Sequence, residues 1–317
     1  MKRFLAIIAA VIFITLLLPL AIVMIMGGMV DNSKPFDAPE TAQQVKVYIK
    51  QNDSVQSMDI STYLTGVTAA EMPSDFEIEA LKAQAVAART YLVSHINAQA
   101  SDEHKGAQIC TDSTHCQAWV SEDNFKSGRE NANEKWDKIR NAVSSTEHEI
   151  ITYKKQPISA VFFSTSSGYT EDAKDVWGKD TPYLRRVKSE GDELSPRYKS
   201  EETFTSDEFK NKAAEKIEGI DQSKKLYGNI KRSKSGGIIT LEICGTEIKG
   251  TEFRSIYGLR STNAELSEEN GTVKIEVTGF GHDVGMSQYG ANYLAAKGRD
   301  YKDILKHYYC GVKIEKR

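Results

Sequence analysis

The 317-residue sequence has few cysteines and almost no excess of charge of either sign. Four cysteines are too few for a scaffold held together by many disulfides. The 41 Lys and Arg residues against 44 Asp and Glu residues leave a formal net charge of −3, which excludes nucleic-acid binding through bulk positive charge. With 40% hydrophobic and 27% charged residues, the composition is that of a globular protein of one large domain or two.

One long apolar run stands at the N-terminus, where residues 4–26 carry no charge. About 20 apolar residues are enough to span the core of a bilayer. Lys2 and Arg3 precede the run, so the positive-inside rule predicts a cytoplasmic N-terminus and an extracytoplasmic remainder. A cleaved signal peptide is the alternative, but the run exceeds the usual apolar region of about 7–15 residues and no A-x-A-like cleavage site follows Met26.

This pattern predicts a single-pass protein of the cell membrane. The predicted segments are a cytoplasmic stub (1–3), a transmembrane anchor (4–26), a linker (27–44) and an ectodomain (45–317).

The ectodomain mixes helix-like and strand-like segments. Ile60, Leu64 and Val67 follow the i, i+4, i+7 spacing and predict a helix that begins near Asp59. An alanine-rich stretch predicts a second helix over residues 75–96. We expect this helix to be central, because its small side chains let neighbouring elements approach closely. Alternating strands follow, so we predict a mixed α/β (α+β) fold of two lobes flanking a cleft, with a second lobe at about 189–270.

Glu71 is the most unusual carboxylate in the chain. It lies on the apolar face of the first predicted helix, near the end where Met72 and Pro73 break the helix. Burial and the negative end of the helix dipole both raise the pKa of such a carboxyl, while the N-terminus of the next helix opposes them. A carboxylic acid that is protonated near neutral pH can act as a general acid. The alternative is a capping or ion-paired carboxylate, with Arg89 as its partner.

Several blocks of sequence, taken in order, resemble one family across essentially the whole ectodomain. The resemblance is to the stage II sporulation protein D family. It rests on G-V-T-A-A-E-M-P (66–73), E-A-L-K-A-Q-A-V-A-A-R-T-Y (79–91), F-S-T-S-S-G-Y-T (163–170), V-W-G (176–178), P-Y-L (182–184), F-R (253–254), G-L-R-S (258–261) and G-H-D-V-G-M-S-Q-Y-G-A (281–291).

The resemblance implies a membrane-anchored lytic transglycosylase that cleaves peptidoglycan during engulfment in endospore formation. Its partners would be a cell-wall amidase and a third membrane protein, and its substrate would be glycan strands freed of their stem peptides. The catalytic acid of the family falls on Glu71. This acid would protonate the oxygen between N-acetylmuramic acid and N-acetylglucosamine. It would then help the C6 hydroxyl attack its own anomeric carbon, leaving a 1,6-anhydro end, and an intramolecular nucleophile of this kind needs no positioned water.

Two alternatives to this function stay open. The first is a hydrolytic muramidase that uses Asp283 or Asp175 as a second carboxylate. The second is a non-catalytic glycan-binding scaffold within a membrane complex. Product masses separate the two enzymes, because hydrolysis leaves a reducing end and no anhydro product.

One residue departs from the family pattern, since Asp283 stands where the family usually has the middle glycine of G-H-G-V-G. Aspartate tolerates left-handed geometry, so the turn is expected to survive while the charge alters contacts with substrate. An oxocarbenium-like transition state also needs polar stabilisation. The candidate substrate-binding residues are Arg89, Ser166, Ser167, Tyr169, Trp177, His282, Asp283, Gln288 and Tyr289, and each could instead only shape a loop.

A possible metal site follows the second predicted helix. His104, Cys110 and Cys116 offer a histidine and two thiolates, which is a zinc-ligand set, and His115 ranks below His104 because it adjoins Cys116. Any Zn²⁺ would be structural, because a glutamic acid cleaves glycosidic bonds without metal. A Cys110–Cys116 disulfide is the alternative in an oxidising exterior. Cys244 and Cys310 are either a disulfide or buried thiols.

Overall fold

The computed structural model describes residues 44–96 and 104–317. The predicted anchor and the linker up to residue 43 lie outside these residues. Within the described ranges the chain mixes helices with several small sheets, which confirms the predicted mixed α/β class. None of the helices in these ranges has the length and apolar character needed to cross a bilayer.

Nine α-helices are formed by the described residues. They are α1 (Ile60–Glu71), α2 (Ile78–Ile96), α3 (Glu122–Lys126), α4 (Ala132–Ser144), α5 (Ala173–Trp177), α6 (Ser206–Ala214), α7 (Gly250–Tyr257), α8 (Gln288–Ala296) and α9 (Tyr301–Tyr308).

The strands are short and form five small sheets within the described ranges. They are β1 (Gln44–Ile49), β2 (Ser54–Asp59), β3 (Ile109–Cys110), β4 (Glu149–Tyr153), β5 (Gln156–Pro157), β6 (Phe162–Phe163), β7 (Lys199–Thr205), β8 (Tyr227–Arg232), β9 (Ile238–Ile243), β10 (Thr246–Lys249), β11 (Ala264–Glu269), β12 (Thr272–Thr278), β13 (Met286–Ser287) and β14 (Lys313–Lys316). The strand orders are β2-β1-β3, β10-β9-β8, β11-β12-β7, β13-β6 and β14-β4-β5. The β1–β3 and β6–β13 pairs are parallel, and the other pairs are antiparallel.

Local interactions set both ends of helix α1. The Asp59 carboxylate accepts the backbone N–H of Thr62 at 2.8 Å and so caps the first turn. Met72 has an extended backbone, because Pro73 disfavours helical geometry in the residue before it. The following turn places the N–H of Phe76 on the carbonyl of Pro73. For this reason α2 begins at Ile78, three residues later than the predicted start at residue 75.

The alanine-rich helix α2 is central to the first part of the fold. Most of its length is buried, and it packs against α1, α4, α8, α9 and β4. Small side chains let these neighbours approach closely, which confirms the prediction of a central helix.

A separate hydrophobic cluster lies among residues 209–277. It contains Phe209, Leu241, Phe253, Tyr257 and Ile275 and is covered by the sheets of β7–β12. The cluster falls mostly within the predicted second lobe, whose boundaries stay a prediction.

Gly66 allows a loop to pack directly on α1. A Cβ at this position would lie 2.2 Å from Nε1 of Trp119 and 2.6 Å from the carbonyl oxygen of Val120. Alanine normally favours a helix interior over glycine, but this clash reverses the sign. We expect Gly66→Ala to lower the free energy of unfolding by about 2 kcal/mol, measured by denaturant titration.

The matched control for this prediction is Gly228→Ala. Gly228 has an ordinary backbone conformation, and the nearest neighbour of an added Cβ is a carboxylate oxygen of Glu242 at 4.0 Å. Its substitution should leave stability within about 0.5 kcal/mol of the parent. Equal stability of the two variants would contradict the tight contact between α1 and the loop.

Candidate functional site

Glu71 is the last residue of α1, and its carboxylate accepts two hydrogen bonds. The backbone N–H of Ala118 donates to Oε1 at 2.7 Å, and the side-chain amide of Gln288 donates as well. Burial raises the pKa of Glu71, and the two hydrogen bonds oppose this shift without cancelling it. The side chain keeps partial contact with solvent. The site therefore holds a partly exposed residue whose carboxyl group retains its proton at a higher pH than an ordinary glutamate does.

The loop of residues 117–120 carries the Ala118 donor and lies on α1. The Tyr63 hydroxyl donates to Oε1 of Gln117 at 3.2 Å, and the N–H of Val120 donates to the carbonyl of Gly66 at 3.2 Å. Contacts on both sides of Ala118 therefore hold its N–H against Glu71.

Gln288 reaches Glu71 from the opposite end of the sequence. The short parallel ladder pairs Ser287 with Phe163, and Ser287 also caps α8 by accepting the N–H of Gly290. Gln288 is thus the first residue of a helix that packs against α2. Its Nε2 lies 3.5 Å from Oε1 of Gln84, a fully buried residue of α2. The sequence prediction placed Gln288 at the site, and the structure brings it onto the carboxylate itself.

Four side chains that could hold a metal ion converge just before this loop. The ligand atoms of His104, Cys110, His115 and Cys116 all lie within 4.8 Å of one another. Nε2 of His104 is 2.9 Å from Nδ1 of His115 and 3.5 Å from Sγ of Cys116. Sγ of Cys110 is 3.6 Å from Nδ1 of His115. His115, which sequence reasoning ranked lower, belongs to the group, because the turn at 112–116 folds its ring back toward the thiols.

The cysteines form no disulfide in the described residues. Cys110, Cys116, Cys244 and Cys310 all carry free thiols. This corrects the alternatives of a Cys110–Cys116 and a Cys244–Cys310 disulfide.

His282 lies between two other aromatic rings. Its ring centroid is 5.2 Å from that of Trp177 and 5.6 Å from that of Phe163. Its Nδ1 accepts the N–H of Val284 at 3.2 Å. Burial and the positive charge of Arg254 lower the pKa of His282 to about 4. The imidazole is therefore neutral at physiological pH.

Asp283 keeps the turn but does not present a charge to the surface. Its φ of +60° is left-handed, as expected for an aspartate in place of glycine. The side chain is buried, and its Oδ1 has no hydrogen-bond partner among the described atoms. Burial and the charge of Glu171 raise the pKa of Asp283 well above its usual range, although Arg254 opposes them. This corrects the expectation that its charge contacts substrate.

Arg89 and Ser166 also have structural partners in place of the expected ones. The Arg89 guanidinium is buried and donates to the carbonyl oxygens of Val143, Thr146 and Glu149. Both the hydroxyl and the N–H of Ser166 donate to the buried carboxylate of Asp192. Both side chains are buried against these partners, so Arg89 bonds to carbonyl oxygens and not to Glu71 among the described residues, and the roles of Arg89 and Ser166 toward substrate stay predictions.

The other predicted residues have a range of surroundings. Oγ of Ser167 accepts from Asn263 at 2.9 Å, and the guanidinium of Arg186 lies 3.6 Å above the ring of Tyr169. Tyr289, next to Gln288, packs edge-on against Phe76 at 5.0 Å. All three predicted residues are partly exposed. Their roles toward substrate stay predictions.

Sequence reasoning missed Ala118 and Gln84. Ala118 acts through its backbone N–H, so its side chain carries no chemical signal. Gln84 lies inside a block that carries the family resemblance, yet it looks like any polar residue of a helix. A polar residue within an otherwise alanine-rich, buried stretch was the signal that was available.

Gln288 should control the pH dependence of the acid. A hydrogen bond to a carboxylate favours its charged form, so losing it raises the pKa. We therefore expect Gln288→Leu to shift the alkaline limb of the pH–rate profile to higher pH, with a smaller effect on the rate at acid pH. The control is Gln56→Leu on the exposed face of β2. An unchanged alkaline limb in Gln288→Leu would rule out this role.

Comparison of the chain with known proteins identifies a matching family model and several similar proteins. A family model described as Stage II sporulation protein matches residues 48–153. The chain is 41% identical over 277 residues to Stage II sporulation protein D of Bacillus amyloliquefaciens, covering 87% of this chain and 79% of that protein. It is 41% identical over 271 residues to Stage II sporulation protein D of Bacillus subtilis (strain 168), covering 85% and 78%. The amidase enhancer of Bacillus subtilis is 28% identical over 302 residues, covering 79% of this chain and 40% of that protein.

Proposed function

The chain belongs to the stage II sporulation protein D family, and on that premise we propose that it is a peptidoglycan lytic transglycosylase. It would cleave the β-1,4 bond between N-acetylmuramic acid and N-acetylglucosamine and leave 1,6-anhydromuramic ends. The cleavage would serve engulfment during endospore formation.

The observation that carries this proposal is the environment of Glu71. Burial raises the pKa of Glu71, and the donors from Ala118 and Gln288 would stabilise the carboxylate that forms when the proton leaves. A group with both properties can first donate a proton to the glycosidic oxygen and then accept one from the C6 hydroxyl. The attacking hydroxyl belongs to the substrate, so one carboxylate serves both steps.

Asp283 bears on the choice between this reaction and hydrolysis. A hydrolytic muramidase needs a second, ionised carboxylate beside the scissile bond. Asp283 is buried, and burial raises its pKa well above the usual range, which favours the neutral acid over the ionised carboxylate that a nucleophile or base requires. Asp175, the other candidate for the second carboxylate, is partly exposed on α5 and stays an alternative for that role. A scaffold that only binds glycan needs no general acid, so the raised pKa of Glu71 favours an enzyme over a scaffold.

We further propose that His104, Cys110, His115 and Cys116 hold a structural Zn²⁺. A tetrahedral zinc site with two nitrogen and two sulfur ligands has ligand–ligand separations of about 3.3–3.8 Å. Three of the separations, 2.9–3.6 Å, are close to this range, and none in the group exceeds 4.8 Å. Cys116 is two residues before Ala118, so a metal here would brace the loop that donates to Glu71.

The location and partners are part of the same proposal. The protein would be held in the membrane that engulfs the forespore by residues 4–26, with residues 45–317 on the extracytoplasmic side. An amidase partner would remove stem peptides before cleavage, and one relative is named amidase enhancer. A third membrane protein would complete the assembly.

The decisive experiment is digestion of glycan strands freed of stem peptides by the full chain, followed by mass spectrometry. The transglycosylase predicts products that end in 1,6-anhydromuramic acid. Products with a reducing muramic end and no anhydro form would establish hydrolysis. No cleavage, with retained binding, would favour the scaffold.

A further inference from the structure

Trp177 is a large apolar side chain that the fold leaves in solvent. It is 46% exposed, although it belongs to a short helix whose first residue, Ala173, is buried. The helix ends at Gly178 in a left-handed conformation with φ of +76°, so the chain turns away directly after the ring. An exposed tryptophan at a helix end gives up the favourable free energy of burying its ring, and a bound ligand that covers the ring would recover it.

The Trp177 ring contacts the His282 ring, which in turn contacts the Phe163 ring. His282 lies 5.2 Å away with the two ring planes at 52°, and Phe163 continues the row 5.6 Å further on. Phe163 is buried. The row therefore runs from the surface into the core, and it limits the freedom of the exposed ring.

The hydrogen bonds of His282 hold its ring in place beside Trp177. One ring nitrogen accepts the N–H of Val284, and the ring also donates to the main-chain carbonyl of Phe162. With both nitrogens bound by backbone and the ring neutral, His282 is an aromatic plate.

A continuous set of contacts joins this row to the acid. Phe163 is the ladder partner of Ser287, the next residue is Gln288, and Gln288 donates to Glu71. Two ring spacings and one strand spacing of about 5 Å each limit the separation of Trp177 from the ladder to roughly 15–20 Å. A glycan strand of several sugars spans that distance.

We propose that Trp177, backed by His282 and Phe163, is a sugar-stacking subsite that holds the glycan strand to one side of the bond cut at Glu71. The inference rests on the proposed function for its ligand. The C–H groups on one face of a pyranose ring are weakly positive, and the face of an indole ring is negative. A neutral, rigid and exposed indole therefore suits an uncharged sugar face better than it suits a charged peptide.

The test uses the full chain with Trp177→Ala and Trp177→Phe. On long glycan strands freed of stem peptides, Trp177→Ala should raise KM by about five- to tenfold and leave kcat nearly unchanged. Trp177→Phe should recover most of the loss, because a phenyl ring also stacks. Leu194→Ala is the matched control, since it removes another exposed apolar side chain that is 68% exposed and outside the ring row.

A binding measurement separates this inference from the proposed function. In a Glu71→Gln background, a tetramer of N-acetylglucosamine should change the intrinsic fluorescence, and Trp177→Phe should remove most of that change. Cleavage by the parent with an unchanged KM in Trp177→Ala would overturn the subsite alone. Absence of cleavage by the parent would overturn the proposed function, and the fluorescence titration would then decide the subsite. No fluorescence change, or an equal loss in Leu194→Ala, would also overturn it.

Discussion

Replacing Glu71 with glutamine should lower the rate of glycan cleavage by about 10²- to 10⁴-fold, the usual contribution of a general acid. The glutamine keeps the shape of the side chain and can bond to Ala118 or Gln288, but it cannot deliver a proton. The parent activity should fall as pH rises through the raised pKa of Glu71, because the protonated form is the active acid. Cleavage rates from pH 5 to 9 with released ends counted by mass spectrometry would measure both effects.

A stability measurement distinguishes a variant that has lost only the acidic proton from a variant that no longer folds. A carboxyl whose pKa is raised by folding contributes stability at low pH, and that contribution is lost as pH rises through the folded pKa. Above that pH the parent keeps a charge in a buried site and Glu71→Gln does not, so the variant should be at least as stable as the parent at pH 8. The control is Glu77→Gln, an exposed glutamate at the start of the next helix. Full activity in Glu71→Gln would exclude Glu71 as the acid.

Removing the metal ligands should have the second largest effect. We expect the purified full chain to carry about one zinc per molecule, and Cys116→Ser to lose it. Loss of a structural metal is among the few causes of destabilisation by about 4 kcal/mol, which for a chain of this size lowers Tm by about 10 °C. The Ala118 donor follows Cys116 closely, so cleavage should fall as well. Metal analysis, calorimetry and rate measurements on one preparation test all three.

Cys310→Ser is the control, because Cys310 is a partly exposed free thiol outside the metal group. It should keep both the zinc content and the Tm of the parent. A chelator should reproduce the effects of Cys116→Ser in the parent and change Cys116→Ser little. A parent without zinc, with a thiol count that reveals a Cys110–Cys116 disulfide, would overturn the metal proposal.

The helices around the site were predictable because their signals are local. An aspartate cap, an apolar face at helical spacing and a proline after the last turn place α1 within a residue of its observed bounds. The start of α2 was predicted three residues early, at residue 75 instead of Ile78. There the chain first turns between Pro73 and Phe76, and the alanine-rich pattern does not encode the length of that turn.

Polar residues were harder to assign because their partners are distant in sequence. Arg89 looked suited to an anion, yet three carbonyl oxygens at the end of α4 and the start of β4 take up its guanidinium. Gln288 looked no different from Ser166. Packing of α8 on α2 decided that Gln288 meets Glu71, while Ser166 bonds to Asp192.

The sequence by itself determined that an acid stands at the end of an apolar helix before a proline, that two cysteines lie near two histidines, and which family the chain resembles. These features depend on residues that are close in sequence or on blocks in a set order. Tertiary structure alone decided that the Ala118 N–H and the Gln288 amide bond to the carboxylate of that residue, that His115 turns toward the thiols, and that Asp283 is buried with a raised pKa. Hydrogen bonding, burial and charge proximity depend on distances in space, and for residues far apart in the chain only packing sets those distances.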